Sequence, residues 1–519
     1  MKEKDNFRFY DMSCFVPTQG IKERCRVSYL SDELKKRFPD ETFTVTSAEI
    51  NDSGIYRSRA NIIEKAFPFL AKLSGLPAYC DVRISVKTGK VKETIIVWTP
   101  LVWNDRFLGT AGGGTSTGGL GYFAKPDNTS RGINVPYALF NGFSSATADA
   151  ENVNAFDDRM IKEDGTRNDD YYENWRSRTT HDMARYGKAV TEILHGRKIL
   201  YSYMNGGSGG GRQCLMEVQE HPEDFDGVWA SCPAINWCKF VPLGYYYVSV
   251  LRKYGSSLNP KKLEFFSQAA RNSAGGNEIY YSLTEPIEFD ARNCVGIKTK
   301  GGIITDADAN AVNEIWAGPR NCKGEKLWYP FRIGGTFWNV GIPVGAFYYT
   351  LLRKKPRPFY LSTVYMRWIK GNAKTKRKAL EKEDFEKLFN ESITRFADCA
   401  ADKTDLSEFA TKGKLIIDHG TDDPLIPVDG TLDYYRRVCE EMGKDTVDRF
   451  FKLFIMPGDS HGNCRGKGGG MTAGEGMTAL INWVEKGEPP HTVRTTRVNL
   501  KGKTLKTGKQ VVYNINKSF

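Results

Sequence analysis

Three stretches in the first hundred residues alternate apolar and polar positions with a period of two: "ETFTVTSAEI" (41–50), "YCDVRISVKT" (79–88) and "VKETIIVWTP" (91–100). Alternation with β-branched enrichment predicts strands. "RFLGTAGGGTSTGGLGYF" (106–123) breaks the pattern and reads as a long glycine-rich loop. The period becomes helical in "RTTHDMARYGKAVTEILHG" (178–196), which closes on a glycine. "KILYSYM" (198–204) predicts a strand, "GRQCLMEVQEHPEDF" (211–225) a helix, and "GVWASCP" (227–233) a short buried strand. This rhythm belongs to an α/β sheet.

The following stretch loses the rhythm. It is aromatic and irregular, as in "LGYYYVSVLRKYG" (243–255) and "KLWYPFRIGGTFW" (326–338). The rhythm then returns. "KGKLIIDHGTDDPLIP" (412–427) and "FFKLFIMPGDSHGNC" (450–464) each read as a strand running into a polar loop. "VDGTLDYYRRVCEEMG" (428–443) and "EGMTALINWVEKG" (475–487) read as helices, and the tail from 494 alternates like a hairpin. The chain therefore predicts one α/β domain in two parts, 1–235 and 409–519, with residues 236–408 inserted between them. No internal repeat is visible.

Composition narrows the function classes. The net charge of +12 could suit a polyanion, but 74 basic residues are interspersed with 62 acidic ones. The densest basic run, 370–387, turns acidic within one helix length and reads as a solvated helix face. No zinc-finger, helix-turn-helix or RNA-binding pattern accompanies it, so no nucleic-acid partner is expected. No apolar run approaches membrane-spanning length, and no membrane partner is expected. No apolar stretch follows the charged start, which implies a cytoplasmic protein if the chain is complete and a secreted one if a signal was removed. The 11 cysteines contain no CxxC pair, so cysteine-based metal binding is not indicated.

The candidate chemistry lies in "NGGSGGG" (205–211). A phosphate loop needs a lysine after its glycines, and Arg212-Gln213 follows instead. A dinucleotide fingerprint needs an acidic residue at the end of the next strand, which here ends in "SCPA" (231–234). Gly206-x-Ser208-x-Gly210 instead has the spacing of a nucleophile elbow, a serine on a strained strand-to-helix turn. The partners of such a serine follow as an acid and then a histidine on loops after strands. Of six histidines, His181, His195 and His221 fall in helical contexts and His491 in the tail. His419 stands at a strand end and suits a structural or pocket role. His461 stands last, where the base belongs. Asp418, Asp422 and Asp423 are the acid candidates.

These segments together resemble the tannase and feruloyl esterase family. The resemblance covers the elbow region from His181 to Trp237, "HGTDDPLIPVDGTLDYYRRV" (419–438), "PGDSHGNC" (457–464), "WNDRFLGTAGGG" (103–114) and "VNEIWAGPR" (312–320). It implies an α/β-hydrolase core with a large inserted lid. It also implies Ser208 as nucleophile, His461 as base and Asp423 as the acid. The oxyanion hole would use the backbone N–H of Gly209 and of Gly113 or Gly114. The expected substrate is a small phenolic-acid ester cleaved through an acyl-enzyme, with no cofactor; galloyl esters are favoured slightly over feruloyl esters. An inactive binding protein on the same fold and a nucleotide-binding protein are the readings from other classes.

Three features depart from the family pattern. The positions of its bridged cysteines beside the serine and histidine are Gly207 and Gly462, with Cys464 two residues further on. The stretch matching its calcium loop, "RNSAGGNEIYY" (271–281), has no aspartate, so no metal is expected. The family is largely secreted, whereas no signal is visible.

Overall fold

The computed structural model describes residues 9–57, 72–118, 135–150, 158–337, 347–349, 356–462, 464, 466–499 and 503–515. The last part of the glycine-rich loop, 119–123, and a few residues of the tail lie outside them.

A nine-stranded sheet carries the molecule. In chain order its strands are β1 (Phe43–Asn51), β2 (Tyr79–Thr88), β3 (Val91–Pro100), β4 (Arg106–Thr110), β5 (Ser144–Asp149), β6 (Tyr201–Gly207), β7 (Gly227–Ser231), β8 (Lys414–Gly420) and β9 (Phe451–Met456). Across the sheet the order is β1-β2-β3-β5-β4-β6-β7-β8-β9. The β1–β2, β2–β3 and β3–β5 pairs are antiparallel. All pairs from β5 onward are parallel. With helices on both faces this is an α/β-hydrolase-like core.

The alternating stretches at 41–100 form β1, β2 and β3, as their period predicts. Two central strands depart from the sequence reading. Residues 106–110, read as the start of a loop, are β4, fully buried. A Cβ at Gly109 would lie 2.9 Å from Phe225 and 3.0 Å from Met183. The glycine thus serves close helix-to-sheet packing, not a turn. β5, "SSATAD", lacks β-branched alternation and gave no strand signal; its small side chains leave room for helix α1 (Thr179–His195), whose Gly187 sits against Ala146.

After the elbow, helix α2 (Gly209–Glu220) ends before Pro222, short of the expected 225. Between β7 and β8 lies the aromatic insertion, with helices α3 (Leu243–Lys253), α4 (Pro260–Ser273), α5 (Asp306–Ala317), α6 (Tyr360–Ile369) and α7 (Phe385–Phe396). Its core includes Trp237, Tyr365, Trp368 and Phe396, and it also takes in Tyr172 and Trp175 from the segment before the elbow. Trp175 packs edge-on against Trp237 and Trp368 at 5.4 and 5.7 Å.

The basic run 370–387 is not one helix. A single turn at Arg377–Leu380 precedes α7, which starts where the Asp384 side chain accepts the Lys387 N–H at 2.8 Å. Helices α8 (Val428–Met442) and α9 (Ala473–Lys486) complete the core. The tail is a hairpin of β10 (Thr492–Val498) and β11 (Thr504–Val511), tied to the sheet where the Tyr513 N–H donates to the Leu453 carbonyl at 2.8 Å. Among the described residues no helix is long and apolar enough to cross a membrane.

Candidate active site

The carboxyl ends of β6, β8 and β9 converge, and the loops that leave them meet. Ser208 stands between β6 and α2 at φ 61°, ψ −124°. That conformation is strained for a residue with a Cβ and is held by its surroundings. The Ser208 N–H donates to the Ser231 carbonyl at 2.9 Å, and the Ser208 carbonyl accepts from Ala234 at 2.8 Å. The flanking glycines are sterically required. A Cβ at Gly206 would meet the Gly210 carbonyl at 2.5 Å, one at Gly210 the Gly112 oxygen at 2.4 Å, and one at Gly209 the Gly114 oxygen at 2.2 Å. The two glycine loops therefore pack on each other and do not enclose a phosphate-sized space.

His461 lies beyond β9 and reaches Ser208, Nε2 to Oγ at 2.8 Å. Its Nδ1 meets Asp423 Oδ2 at 2.7 Å. Both residues are buried. The other oxygen, Oδ1, accepts the N–H groups of Leu425 and Ile426 at 2.8 and 3.0 Å. Burial pushes the Asp423 pKa up. The charge of His461 and hydrogen bonds from His419 and His461 outweigh it and hold the carboxyl well below the usual range.

The three acid candidates of the sequence separate cleanly. Asp422 turns toward the insertion and accepts the Thr336 N–H at 2.5 Å and hydroxyl at 2.7 Å. Burial pushes its pKa up to about 6 despite those bonds. Asp418 sits under the sheet end, accepting the Trp229 indole N–H at 2.7 Å and the Ser231 hydroxyl at 3.1 Å, and burial raises it likewise to about 6. Only Asp423 meets His461.

Sequence reasoning gave His419 only a structural or pocket role and left Gln213 unassigned. His419 is fully buried; its Nε2 lies 3.2 Å from Asp423 Oδ2 and its Nδ1 2.9 Å from the Thr431 hydroxyl. With the Thr431 hydroxyl donating to Nδ1, Nε2 carries the proton, and Asp423 accepts from two imidazoles. The spacing "HGTDD" held that signal: a histidine at the strand end and an aspartate four residues on. Gln213, one turn into α2, accepts the Gly112 N–H at 3.0 Å and donates to the Ser116 carbonyl at 3.1 Å, pinning the first glycine loop to the elbow helix. Within that loop Gly113 donates to the Ser116 carbonyl at 3.2 Å, whereas Gly114 faces the hollow above Ser208. His195, His181 and His221 are engaged elsewhere: His195 lies between the hydroxyls of Thr18 and Thr99, and His181 stacks on His221.

All described cysteines are free thiols. In place of a bridge between positions 207 and 462, backbone contacts fix the loops. Asp422 donates to the Asp459 carbonyl at 3.0 Å, Cys232 to the Asp418 carbonyl at 2.6 Å, and Gly458 to the Thr421 hydroxyl at 2.8 Å. The Cys232 thiol lies against Gly462, where a Cβ would come within 2.7 Å of it. Cys464 is buried, its thiol donating to the Met471 carbonyl at 3.2 Å. Two donor sets among the described residues approach metal-binding spacing, Cys232/Asp423/His461 and His181/Glu217/Asp224. The first shares Asp423 and His461 with the hydrogen-bond chain to Ser208. In the second the Lys188 ammonium stands 3.2 Å from Asp224. The stretch 271–281 does not fit calcium either: Arg271 points into it, bonding Asn277 Oδ1 and the Gly334 carbonyl at 2.8 Å each.

Above Ser208 is a hollow of about 100 Å³. That is less than an apolar cavity on the order of 150 Å³ that accepts benzene, and far too small for a dinucleotide. Trp237, Phe240, Phe331, Phe359, Leu425 and Ile426 supply its walls. Besides Ser208 and His461, its hydroxyl-bearing side chains are Tyr360 and Ser362, and no described lining residue is charged.

Residues 80–514 match the family described as tannase and feruloyl esterase. A probable feruloyl esterase of Arthroderma benhamiae is 32% identical over 446 residues, covering 82% of this chain and 80% of that protein. Among solved structures, feruloyl esterase B from Aspergillus oryzae superposes with a TM-score of 0.72 at 22% identity, over 93% of this chain and 96% of its own. Tannin acyl hydrolase from Aspergillus niger gives 0.74 at 18% identity, over 94% and 93%.

Proposed function

The chain belongs to the tannase and feruloyl esterase family and is a carboxylic ester hydrolase acting on small-molecule esters; from that premise we propose a serine esterase of aromatic-acid esters. The observation that carries the proposal is the unbroken chain Ser208–His461–Asp423, at 2.8 and 2.7 Å, opening into an aromatic-walled hollow.

In this reading Ser208 Oγ attacks the ester carbonyl as its proton passes to His461 Nε2. Asp423 holds the imidazole by Nδ1 and stabilises the imidazolium without taking the proton. The oxyanion is received by the backbone N–H of Gly209, at the start of α2 where the helix dipole is positive, and by that of Gly114 on the glycine loop after β4. Gly113, whose N–H is already given to Ser116, serves to shape the turn. His461 returns the proton to the leaving alcohol. Water then repeats the sequence on the acyl-enzyme.

The sequence alone inclined toward galloyl esters. The wall of the hollow favours the feruloyl side. A galloyl ring buries three hydroxyls, and each buried hydroxyl without a partner is costly. The described lining offers two hydroxyl-bearing side chains and no charge. A ring with fewer hydroxyls suits it better, and the names of the curated relatives agree. Side-by-side hydrolysis of methyl ferulate and methyl gallate decides the point. The expected result is a higher kcat/KM for ferulate; a gallate preference would reverse the substrate choice and leave the serine mechanism in place.

A further inference from the structure

Asp418 is a buried carboxyl that the hydrogen-bond chain Ser208–His461–Asp423 does not use. It follows two fully buried isoleucines, Ile416 and Ile417, on β8. A carboxyl taken out of water there is costly unless its bonds are specific. The side chain accepts two bonds, both from β7: the Trp229 indole N–H at 2.7 Å and the Ser231 hydroxyl at 3.1 Å. Asp418 pairs with Ser231 in the parallel β7–β8 ladder, and residues two apart on a strand share a face. Both donors therefore meet it on one side of the sheet.

Ser231 lies between the two halves of the reactive centre. Its partner on the other side is Gly207, the residue before the nucleophile. Its carbonyl accepts the Ser208 N–H at 2.9 Å. A Cβ at Gly211, in the first turn of α2, would come within 3.0 Å of that same oxygen. Its hydroxyl lies against Gly462, the residue after His461, where a Cβ would come within 2.9 Å of Oγ. The Asp418 carbonyl also accepts the Cys232 N–H at 2.6 Å. Asp418 thus holds both members of the Ser231-Cys232 dipeptide, one by its side chain and one by its backbone.

We propose that Asp418 is a positioning residue for the reaction. By holding the Ser231 hydroxyl it fixes the carbonyl on which the Ser208 amide rests and the surface against which Gly462 packs, and so sets the approach of Ser208 Oγ to His461 Nε2. The inference rests on the serine-esterase reading above. Ser208 is sensitive to such support because its φ of 61° is strained, and a strained conformation persists only where its surroundings over-determine it. With glycine at 207 and 462, this contact gives the elbow and the histidine loop a shared side-chain anchor.

The test is the rate at which a p-nitrophenyl alkylphosphonate labels the full chain across reagent concentrations, with the modified peptide identified by mass. The reagent needs only a positioned serine that displaces p-nitrophenolate, so acyl preference does not enter. Asp418→Leu, which cannot accept from Ser231, should lower the limiting rate about ten- to a hundredfold and leave the half-saturating concentration unchanged. Asp418→Asn should stay within about threefold of the unaltered chain, because its amide still bonds the same hydroxyl. Ser231→Ala should slow labelling as the leucine variant does. The double variant Asp418→Leu/Ser231→Ala should be no slower than the slower single one, since both remove one contact. Melting curves report folding separately; if Asp418→Leu does not fold, Ser231→Ala and Asp418→Asn carry the comparison. An asparagine variant as slow as the leucine one, a change in half-saturation in place of rate, or additive losses in the double variant would each overturn the proposal. Undiminished labelling of Asp418→Leu and Ser231→Ala would overturn it and leave the serine reading intact. An unaltered chain that is not labelled at Ser208 would overturn the serine reading and this inference with it.

Discussion

Asp422 and Asp423 are adjacent and both buried, yet one looks to the inserted segment and the other to the α/β core. Asp423 is surrounded by donors from core elements: His461, His419 and two backbone N–H groups. Its charge is fully compensated, and its pKa falls. Asp422 meets only Thr336 of the insertion; desolvation dominates and its pKa rises. The contrast extends to the regions themselves. The core places charge on loops tied together by the backbone at strand ends. The insertion contributes aromatic walls and polar tethers to the core, from Thr336 to Asp422, Arg332 to Asp429 and Tyr329 to Asp433. Preorganised polarity and adaptable apolar surface are thus supplied by different parts of the chain.

The contrast implies a graded series of effects. Ser208→Ala should lower kcat on methyl ferulate by about 10⁴- to 10⁶-fold, as measured with pure protein at saturating ester; retention of full activity would remove Ser208 from the mechanism. Asp423→Asn should cost about 10⁴-fold in kcat through the wrong imidazole tautomer, whereas Asp422→Asn should cost less than about tenfold, because the amide oxygen still accepts from Thr336. Equal losses in the two variants would erase the division of labour.

His419→Leu removes the second donor to Asp423 and should lower kcat by about ten- to a hundredfold with KM little changed; an effect on KM alone would make His419 a pocket residue. Phe331→Ala, in the insertion, should do the opposite, raising KM for methyl ferulate about tenfold and sparing the acetyl ester.

The smallest effect is on stability. The folded Asp422 binds its proton more tightly than the unfolded chain does, so stability falls as pH rises from about 4 to about 6. Asp422→Asn removes that loss. Its melting temperature relative to the parent should therefore improve between pH 4 and pH 7, by the equivalent of at most about 3 kcal/mol. Asp423 carries the opposite sign: its stabilisation is present above the unfolded carboxylate pKa and is lost as acid protonates it. A difference that does not change with pH would assign Asp422 a charge-independent role.

Much of this was legible beforehand because it rests on local rules. Period-two alternation marked β1, β2 and β3, and the spacing of glycines around Ser208 marked the strained turn. What escaped depends on neighbours distant in sequence. β5 is built of serine, alanine and threonine because Gly187 of α1 presses on it from 41 residues away, from Ala146 to Gly187. Gly109 looks like loop glycine until Phe225 and Met183 are seen against it. The basic run at 370–387 resembled one helix because composition does not reveal that Asp384 caps a new one.

The chain's own order of strand, glycine turn, polar loop and histidine was enough to indicate an α/β core, Ser208, His461 and three candidate acids, Asp418, Asp422 and Asp423; only the resemblance to a family pointed to Asp423 among them. The order was enough because an elbow turn and strand-end loops are short-range features, written within a few residues of each side chain. Which carboxylate faces His461 by geometry, that His419 also reaches that carboxylate, and that the hollow over Ser208 is apolar all required folding. Each is a meeting of side chains from separate segments, and burial, which sets their energies and protonation, exists only once those segments have closed around them.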